Sequence, residues 1–332
     1  MKLPVKIVLS LVCAALVLAA PFVVSAPNML DDAQWEIMDL MDTEESGFLS
    51  FLLPSANAEM EESPYSLPID TSAGMKPNPD LFTEAGYEDD SIRVQMETRE
   101  TDGDVIWRIA WVEIASPTQL RTAYAGDSIK DNKKKGTVSQ MAKDHNAIVA
   151  IDGDNYIVEP EKHKFEYRMG EKRQADKNNI KDILIIDENG DFHTFIKSVG
   201  AKTFQQDTGH TIINAFMFGP ALVHEGEISA DPSYGYNPNG TQPRAAIGQL
   251  DRLSYVMVVA DNATANDYIG VTHRELAEFM LELGCVEAYN LDGGNSAALV
   301  YNGECYNNKI DEREIKDIIY FATAVPPEEW EQ

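Results

Sequence analysis

Positive charge is what this chain has least of: 27 Lys and Arg stand against 55 Asp and Glu, a formal net charge of −28 over 332 residues. Nucleic-acid backbones are gripped by clustered Lys and Arg that release counterions, so this balance excludes a nucleic-acid partner. The one basic cluster, Lys130 with Lys133, Lys134 and Lys135, reads as a solvated loop. Internal repeats are lacking, and so is the Asp-x-Asp-x-Asp-Gly spacing of a calcium loop, which weakens any reading of the acidic stretches as calcium sites. Long apolar runs are lacking too, except one. Lys2 and Lys6 precede an uncharged, mostly apolar run from Ile7 to Ala26, the pattern of an export signal or signal anchor. Val24-Ser25-Ala26 resembles a cleavage site, but the Pro27 that follows disfavours cutting and favours an uncleaved anchor. The expected location is extracytoplasmic, either secreted or membrane-anchored through residues 1–26.

Cysteine is scarce. Cys13 lies in the apolar run, which leaves Cys285 and Cys305. If the strand ending near Leu291 and the strand from Ala297 to Tyr301 form a hairpin centred on Asn295, these two face each other, and an oxidising compartment permits a disulfide. Two buried free thiols are the equal alternative.

What is present divides the chain into three. After the segment 1–26, residues 27–104 carry twenty Asp and Glu against three basic residues, with prolines and short apolar islands, and read as an acidic stalk or spacer extended by its own repulsion. From 105 to 325 the pattern is that of one α+β domain with mixed or antiparallel sheets and few helices. Val105 to Ile114 is rich in β-branched and aromatic residues and reads as a long strand. Thr137 opens a short helix with Val138, Met141 and Ala142 on one face. Ile183 to Ile186 and Phe192 to Ile196 are predicted to form a hairpin through Asp187-Glu188-Asn189-Gly190. Thr272-His273-Arg274-Glu275 is a capping box, and Leu276, Phe279, Met280 and Leu283 follow at helical spacing before Gly284 stops the helix. Ile318 to Val325 reads as the last core strand.

Two strand ends carry the same chemistry. The apolar run Ala147 to Ile151 stops at Asp152-Gly153-Asp154-Asn155, and Ala288-Tyr289-Asn290-Leu291 stops at Asp292-Gly293-Gly294-Asn295-Ser296. A carboxylate at a strand end, with glycines that admit close backbone approach and short polar side chains beside them, suits holding an acid against a substrate.

Four further stretches narrow the reading. Phe218-Gly219-Pro220-Ala221-Leu222-Val223 with Gly226, Pro243-Arg244-Ala245-Ala246-Ile247-Gly248, Gly270-Val271-Thr272 with Glu275-Leu276-Ala277, and Asn290 to Ser296 resemble, in this order, the motifs of the phosphodiester glycosidase family, over about Thr137 to Val325. The resemblance implies hydrolysis of a sugar-1-phosphodiester to free sugar and phosphate monoester; for an exported protein the expected substrate is a glycan or sugar-phosphate of the cell envelope or surface.

It implies roles as well. Asp292 does acid-base or nucleophilic work, and Asp152 is the first candidate for a second carboxylate, with Asp154, Glu225 and Asp261 behind it. A phosphate leaving group needs little protonation, so one essential carboxylate can suffice. Arg244 offers a planar fork to the phosphate, its alternative being a structural salt bridge. The amides of Gly293 and Gly294 offer an anion nest, or simply a tight turn. Asn290, Asn214, Ser296, Asn295, Asp154 and Gly219 are expected to line the substrate site, and His210 to bind phosphate or act as an acid. No cofactor is implied.

This chain departs from the family pattern at Asp152-Gly153-Asp154 and at Asn295. The added carboxylates make a divalent cation conceivable, but no ligand spacing fixes a metal. The rival classes are a non-catalytic carbohydrate-binding or envelope-scaffold protein on the same fold, and a metal phosphodiesterase cutting P–O bonds.

Overall fold

Strict alternation of apolar and polar residues, and short runs buried throughout, build three sheets here. The computed structural model describes residues 69–101, 105–126, 134–154, 165–174, 181–229, 237–262, 270–307 and 312–330. Along the chain these form β1 (Gly86–Glu88), β2 (Ile92–Thr101), β3 (Val105–Ile114), β4 (Leu120–Tyr124), helix α1 (Val138–Asp144), β5 (Val149–Asp152), β6 (Glu166–Arg168) and β7 (Glu171–Gln174). Then come β8 (Ile183–Asp187), β9 (Phe192–Phe195), α2 (Phe204–Thr208), β10 (Ile212–Phe216), β11 (Ala221–His224), β12 (Glu227–Ile228), β13 (Arg244–Asp251) and β14 (Ser254–Asn262). Helix α3 (His273–Glu282), β15 (Glu287–Asn290), β16 (Leu299–Tyr301), β17 (Glu304–Cys305) and β18 (Asp317–Phe321) complete it.

The large sheet has the order β1-β2-β3-β14-β13-β15-β11-β12; the two small ones run β7-β6-β10-β8-β9 and β17-β16-β5-β18-β4. All pairings between these strands are antiparallel. With three short α-helices among the described residues, the architecture is α+β, as the patterning implies.

Period-two alternation assigns the two faces of the large sheet to different cores. Tyr255, Met257 and Val259 of β14 face the small sheets, packing with Ile151, Leu184, Phe216, Leu299 and Phe321. Val256, Val258 and Ala260 face the other way, onto Leu276, Phe279 and Met280 of α3. Trp107 closes that second layer, stacked on Phe279 at 3.7 Å between ring centroids. Thr272 caps α3 in a full capping box with Glu275, and Thr137 accepts from the Gln140 amide to start α1. Helix α1 buries Val138, Met141 and Ala142 against the outer face of its small sheet. The β8–β9 hairpin forms with Ile183 opposite Phe195.

Two expectations need correction. The ordered domain does not begin at Val105: β1 and β2 belong to the large sheet, and β2 pairs with β3 along its whole length. Within the acidic segment, Ile92, Val94 and Met96 are buried while Arg93 and Gln95 are exposed, so alternation overrides composition there. The expected leader 1–26 and stalk residues 27–68 lie outside the described residues. Among the described residues no helix is long and apolar enough to cross a membrane.

The hairpin centred on Asn295 does not form. β15 pairs with β11 and β13 in the large sheet, whereas β16 pairs with β5 and β17 in a small one. Cys285 and Cys305 therefore belong to different sheets' cores, and no disulfide joins them. Burial pushes the Cys285 thiol up to about 12.

Candidate active site

The two carboxylate-glycine turns meet. β5 delivers Asp152-Gly153-Asp154 and β15 delivers Asp292-Gly293-Gly294 to one place, where the Asp292 amide donates to the Gly153 carbonyl at 3.0 Å. Each turn needs its glycine for space. A Cβ on Gly153 would stand 2.5 Å from the Asp317 carboxylate, and one on Gly293 would stand 2.9 Å from the Pro243 carbonyl oxygen.

Beneath the turns lies a buried ionic brace. Arg168, fully buried, is held at 2.7 Å by Asp317 and at 3.1 Å by Asp154, with its Nη1 donating to the carbonyls of Tyr167 and Ala215. Its guanidinium lies 4.0 Å over the Phe216 ring. Asp154 also accepts from the amides of Met217 and Phe218, and Asp317 from the amide of Asp154. One charged network thus fixes the β5 turn, the β6 strand and the segment that leads to Gly219 and Pro220. Burying such charges is costly, and only complete pairing makes it tolerable.

Asp292 is placed differently. It is 8% exposed, and burial pushes its carboxyl up to about 6. A hydrogen bond from Ser296, the positive charge of Arg313 and the Gly293 amide pull the other way, while the negative charge of Asp154 adds to the rise. Arg313 Nη1 in turn stands 3.3 Å from Ser296 Oγ, and Arg313 is exposed. The result is a carboxylate ionised at neutral pH yet close to protonation, beside a hydroxyl and an accessible cation. That combination suits general base work.

Arg244 lies beside the Gly293 turn and is bonded into the surrounding backbone. It is 1% exposed, and its donors go to the carbonyls of Val271, Asn237 and Gly240 and to His273 Nε2. A guanidinium bonded in this way braces the 237–240 loop against the entry to α3, and the charge of Arg313 lowers the Asp292 pKa. The glycine nest is likewise committed. Gly293 donates to Asp292 Oδ1 at 3.0 Å and Gly294 to the Pro243 carbonyl at 2.7 Å, so the tight-turn alternative describes them.

The other candidates separate. Asn290 and Asn214 are fully buried: Asn290 ties β15 to the Gly219 carbonyl at 2.8 Å, and Asn214 accepts from Thr122 and the Met169 amide. Both are braces rather than exposed sugar ligands. Asp152 is also fully buried and accepts from the Ala298 amide at 2.9 Å, which spends one oxygen on joining β5 to β16. Ser296 is at the site, and Asn295 is the exposed side chain of the same turn. Asn155 lies outside the described residues. Asp261 pairs with Arg108 at 3.7 Å, and Glu225 is exposed in the β11–β12 turn. His210 sits beside Glu188 and Asp187, at the far end of β10 from the Met217–Phe218 amides.

Sequence reasoning passed over Arg313, Arg168 and Asp317. Asp317 carried a readable signal, a carboxylate opening the last core strand; Arg313 carried none.

Comparison with known proteins identifies the family and the fold. A family model described as phosphodiester glycosidase matches residues 145–322. A stretch of 109 residues, 32% of this chain, is 31% identical to the SPbeta prophage-derived uncharacterized protein YomE of Bacillus subtilis and spans 17% of that protein's length. Among solved structures, the zebrafish N-acetylglucosamine-1-phosphodiester alpha-N-acetylglucosaminidase catalytic domain, auto-inhibited by its pro-peptide, is similar with a TM-score of 0.55 and 16% identity, over 76% of this chain and 87% of that one. A hypothetical protein from Synechocystis is similar with a TM-score of 0.49 and 15% identity, over 69% of this chain and 62% of that one.

Proposed function

Since the chain belongs to the phosphodiester glycosidase family, a family of glycosidase-type hydrolases, we propose that it cleaves a sugar-1-phosphodiester at the anomeric carbon, with Asp292 as its essential carboxylate. The observation that carries this reading is the Asp292 environment: a nearly buried acid pushed up to about 6, bonded by Ser296 and faced by Arg313.

The chemistry follows from the charges. A phosphodiester is a permanent anion, and in an acidic protein a local cation must receive it; Arg313 is exposed and adjacent. Water attacks the anomeric carbon, its proton passes to the Asp292 carboxylate, and the C1–O bond breaks with its electron pair leaving on the phosphate. The products are the free sugar and a phosphate monoester. Because the departing phosphate is already a stable anion, no second carboxyl need protonate it. Asp154 is bound up with Arg168 and acts on Asp292 through its charge alone. Asn295, exposed on the site turn, is placed to select the sugar.

The Lys2–Ala26 pattern supports an exported enzyme whose substrate is an envelope or surface glycan bearing a glycosyl phosphodiester. The test is turnover of a panel of α-sugar-1-phosphodiesters by wild type, Asp292→Asn and Arg313→Ala. Release of free sugar by wild type that Asp292→Asn abolishes supports the reading. Unchanged turnover in both variants removes Asp292 and Arg313 from the mechanism, and no turnover by wild type on any member makes this a carbohydrate-binding protein on the same fold.

A further inference from the structure

The β8–β9 turn carries a second cluster that the proposed hydrolysis does not use. Asp187 Oδ2, Glu188 Oε1 and His210 Nδ1 lie within 4.8 Å of one another. His210 Nδ1 is 3.1 Å from the Glu188 oxygen and 3.8 Å from that of Asp187. Around a zinc ion with bonds of about 2.0–2.2 Å, neighbouring tetrahedral ligands stand roughly 3.3–3.6 Å apart, a spacing that the two edges at His210, 3.1 and 3.8 Å, bracket.

The carboxylates are oriented for it. Asp187 Oδ1 accepts from the amides of Asn189 and Asp191, at 2.8 and 3.0 Å, and Glu188 Oε2 accepts from the Thr211 amide at 2.6 Å. Each acid thus has one oxygen fixed by backbone and the other turned to the imidazole. His193 Nε2 stands 2.9 Å from Asp187 Oδ2 and steadies that oxygen, an arrangement typical of support behind a metal ligand.

Charge supplies an independent argument. Asp187 is buried, yet among the described residues no Lys or Arg pairs with it or with Glu188; the basic groups beside them are the imidazoles of His193 and His210. Two adjacent carboxylates without a fixed cation leave a local negative excess that a divalent ion would offset. The cluster is also reachable from solvent, with the His210 side chain 40% exposed.

We propose that Asp187, Glu188 and His210 form a binding site for a divalent transition-metal ion, with zinc as the fitting class and His193 as a positioning residue. An imidazole nitrogen among the donors selects zinc-like ions over calcium or magnesium. The site is structural: it ties the β8–β9 turn to the start of β10, four residues before Phe216 along that strand.

The full chain, stripped with chelator, is titrated with zinc by calorimetry, and its melting temperature is read with and without zinc. The expected result is one saturable site per chain and a rise in melting temperature, with millimolar magnesium or calcium failing to compete. His210→Ala is expected to weaken zinc binding at least tenfold, and His193→Ala by less. Far-ultraviolet circular dichroism confirms that each variant is folded, and the milder His210→Gln repeats the test if His210→Ala is not. Absence of saturable binding, or binding unchanged in folded His210 variants, overturns the proposal.

Discussion

Arg313 Nη1 stands 3.3 Å from Ser296 Oγ, and the Ser296 hydroxyl bonds the Asp292 carboxylate, so an exposed cation is linked to a nearly buried acid through a single side chain. The relay holds Asp292 below the pKa that burial alone would give it. It also leaves the outer face of Arg313 to meet an anion.

Replacing Arg313 by Ala removes both effects. The KM for a phosphodiester substrate is expected to rise about tenfold or more, since a charge-assisted contact is lost. The acid limb of the kcat/KM profile should move to higher pH, because the charge that lowers the Asp292 pKa is gone. Steady-state kinetics across pH 4.5–8 checks both.

Asp292→Asn is expected to trade activity for stability. The folded carboxyl titrates at about 6 against the usual 3.8, so the folded state holds the proton more tightly than the unfolded one. Stability should therefore fall as pH rises from about 4 to about 6 and stay lowered above that. The amide carries no charge, so the variant should exceed wild type by on the order of 2 kcal/mol at pH 7–8 and match it near pH 3–4. Denaturant melts at these pH values read the difference, and turnover should drop at least a thousandfold.

Arg168→Met should be severely destabilising. It strands Asp154 and Asp317 in the interior without their shared cation, a loss of roughly 3–5 kcal/mol. Urea melts measure it. Because Asp154 also holds the amides of Met217 and Phe218, proteolysis should first appear near these residues.

Arg244→Ala is expected to cost roughly 2–4 kcal/mol, since the carbonyls of Val271, Asn237 and Gly240 lose a buried donor. Lys should not rescue it, for a single ammonium cannot reproduce a planar fork to separated acceptors. At temperatures where the variant is folded, its KM should stay within a few-fold of wild type, which a direct phosphate ligand would not allow.

The parts of this protein legible in its sequence are those set by local rules. The capping residues Thr137 and Thr272, the β8–β9 hairpin and the long β3 strand each depend on neighbours a few residues away. The meeting of the Asp152 and Asp292 turns was half legible: both strand-end signals stood in the sequence, but not the Asp292–Gly153 bond that joins them. β2 escaped because its alternation is confined to Ile92, Val94 and Met96 inside a stretch dominated by acids. The supposed 285–305 hairpin failed because the chain between Leu291 and Ala298 changes sheets, and strand patterning records which face is buried, not which sheet receives the strand. Arg244 and Arg313 show the same limit at the site. Both are arginines in loop-flanked positions, and only the fold reveals that one is buried and bonded to backbone carbonyls while the other is exposed beside the acid.

Attack at the sugar carbon, governed by Asp292, is the central step of the proposed hydrolysis. Hydrolysis of an α-sugar-1-phosphodiester in heavy-oxygen water, with mass spectrometry of both products, tests it most directly. The expected outcome is label in the anomeric hydroxyl of the free sugar, none in the phosphate monoester, and no labelled sugar from Asp292→Asn. Label in the phosphate, or labelled sugar formed at wild-type rate by Asp292→Asn, would contradict it.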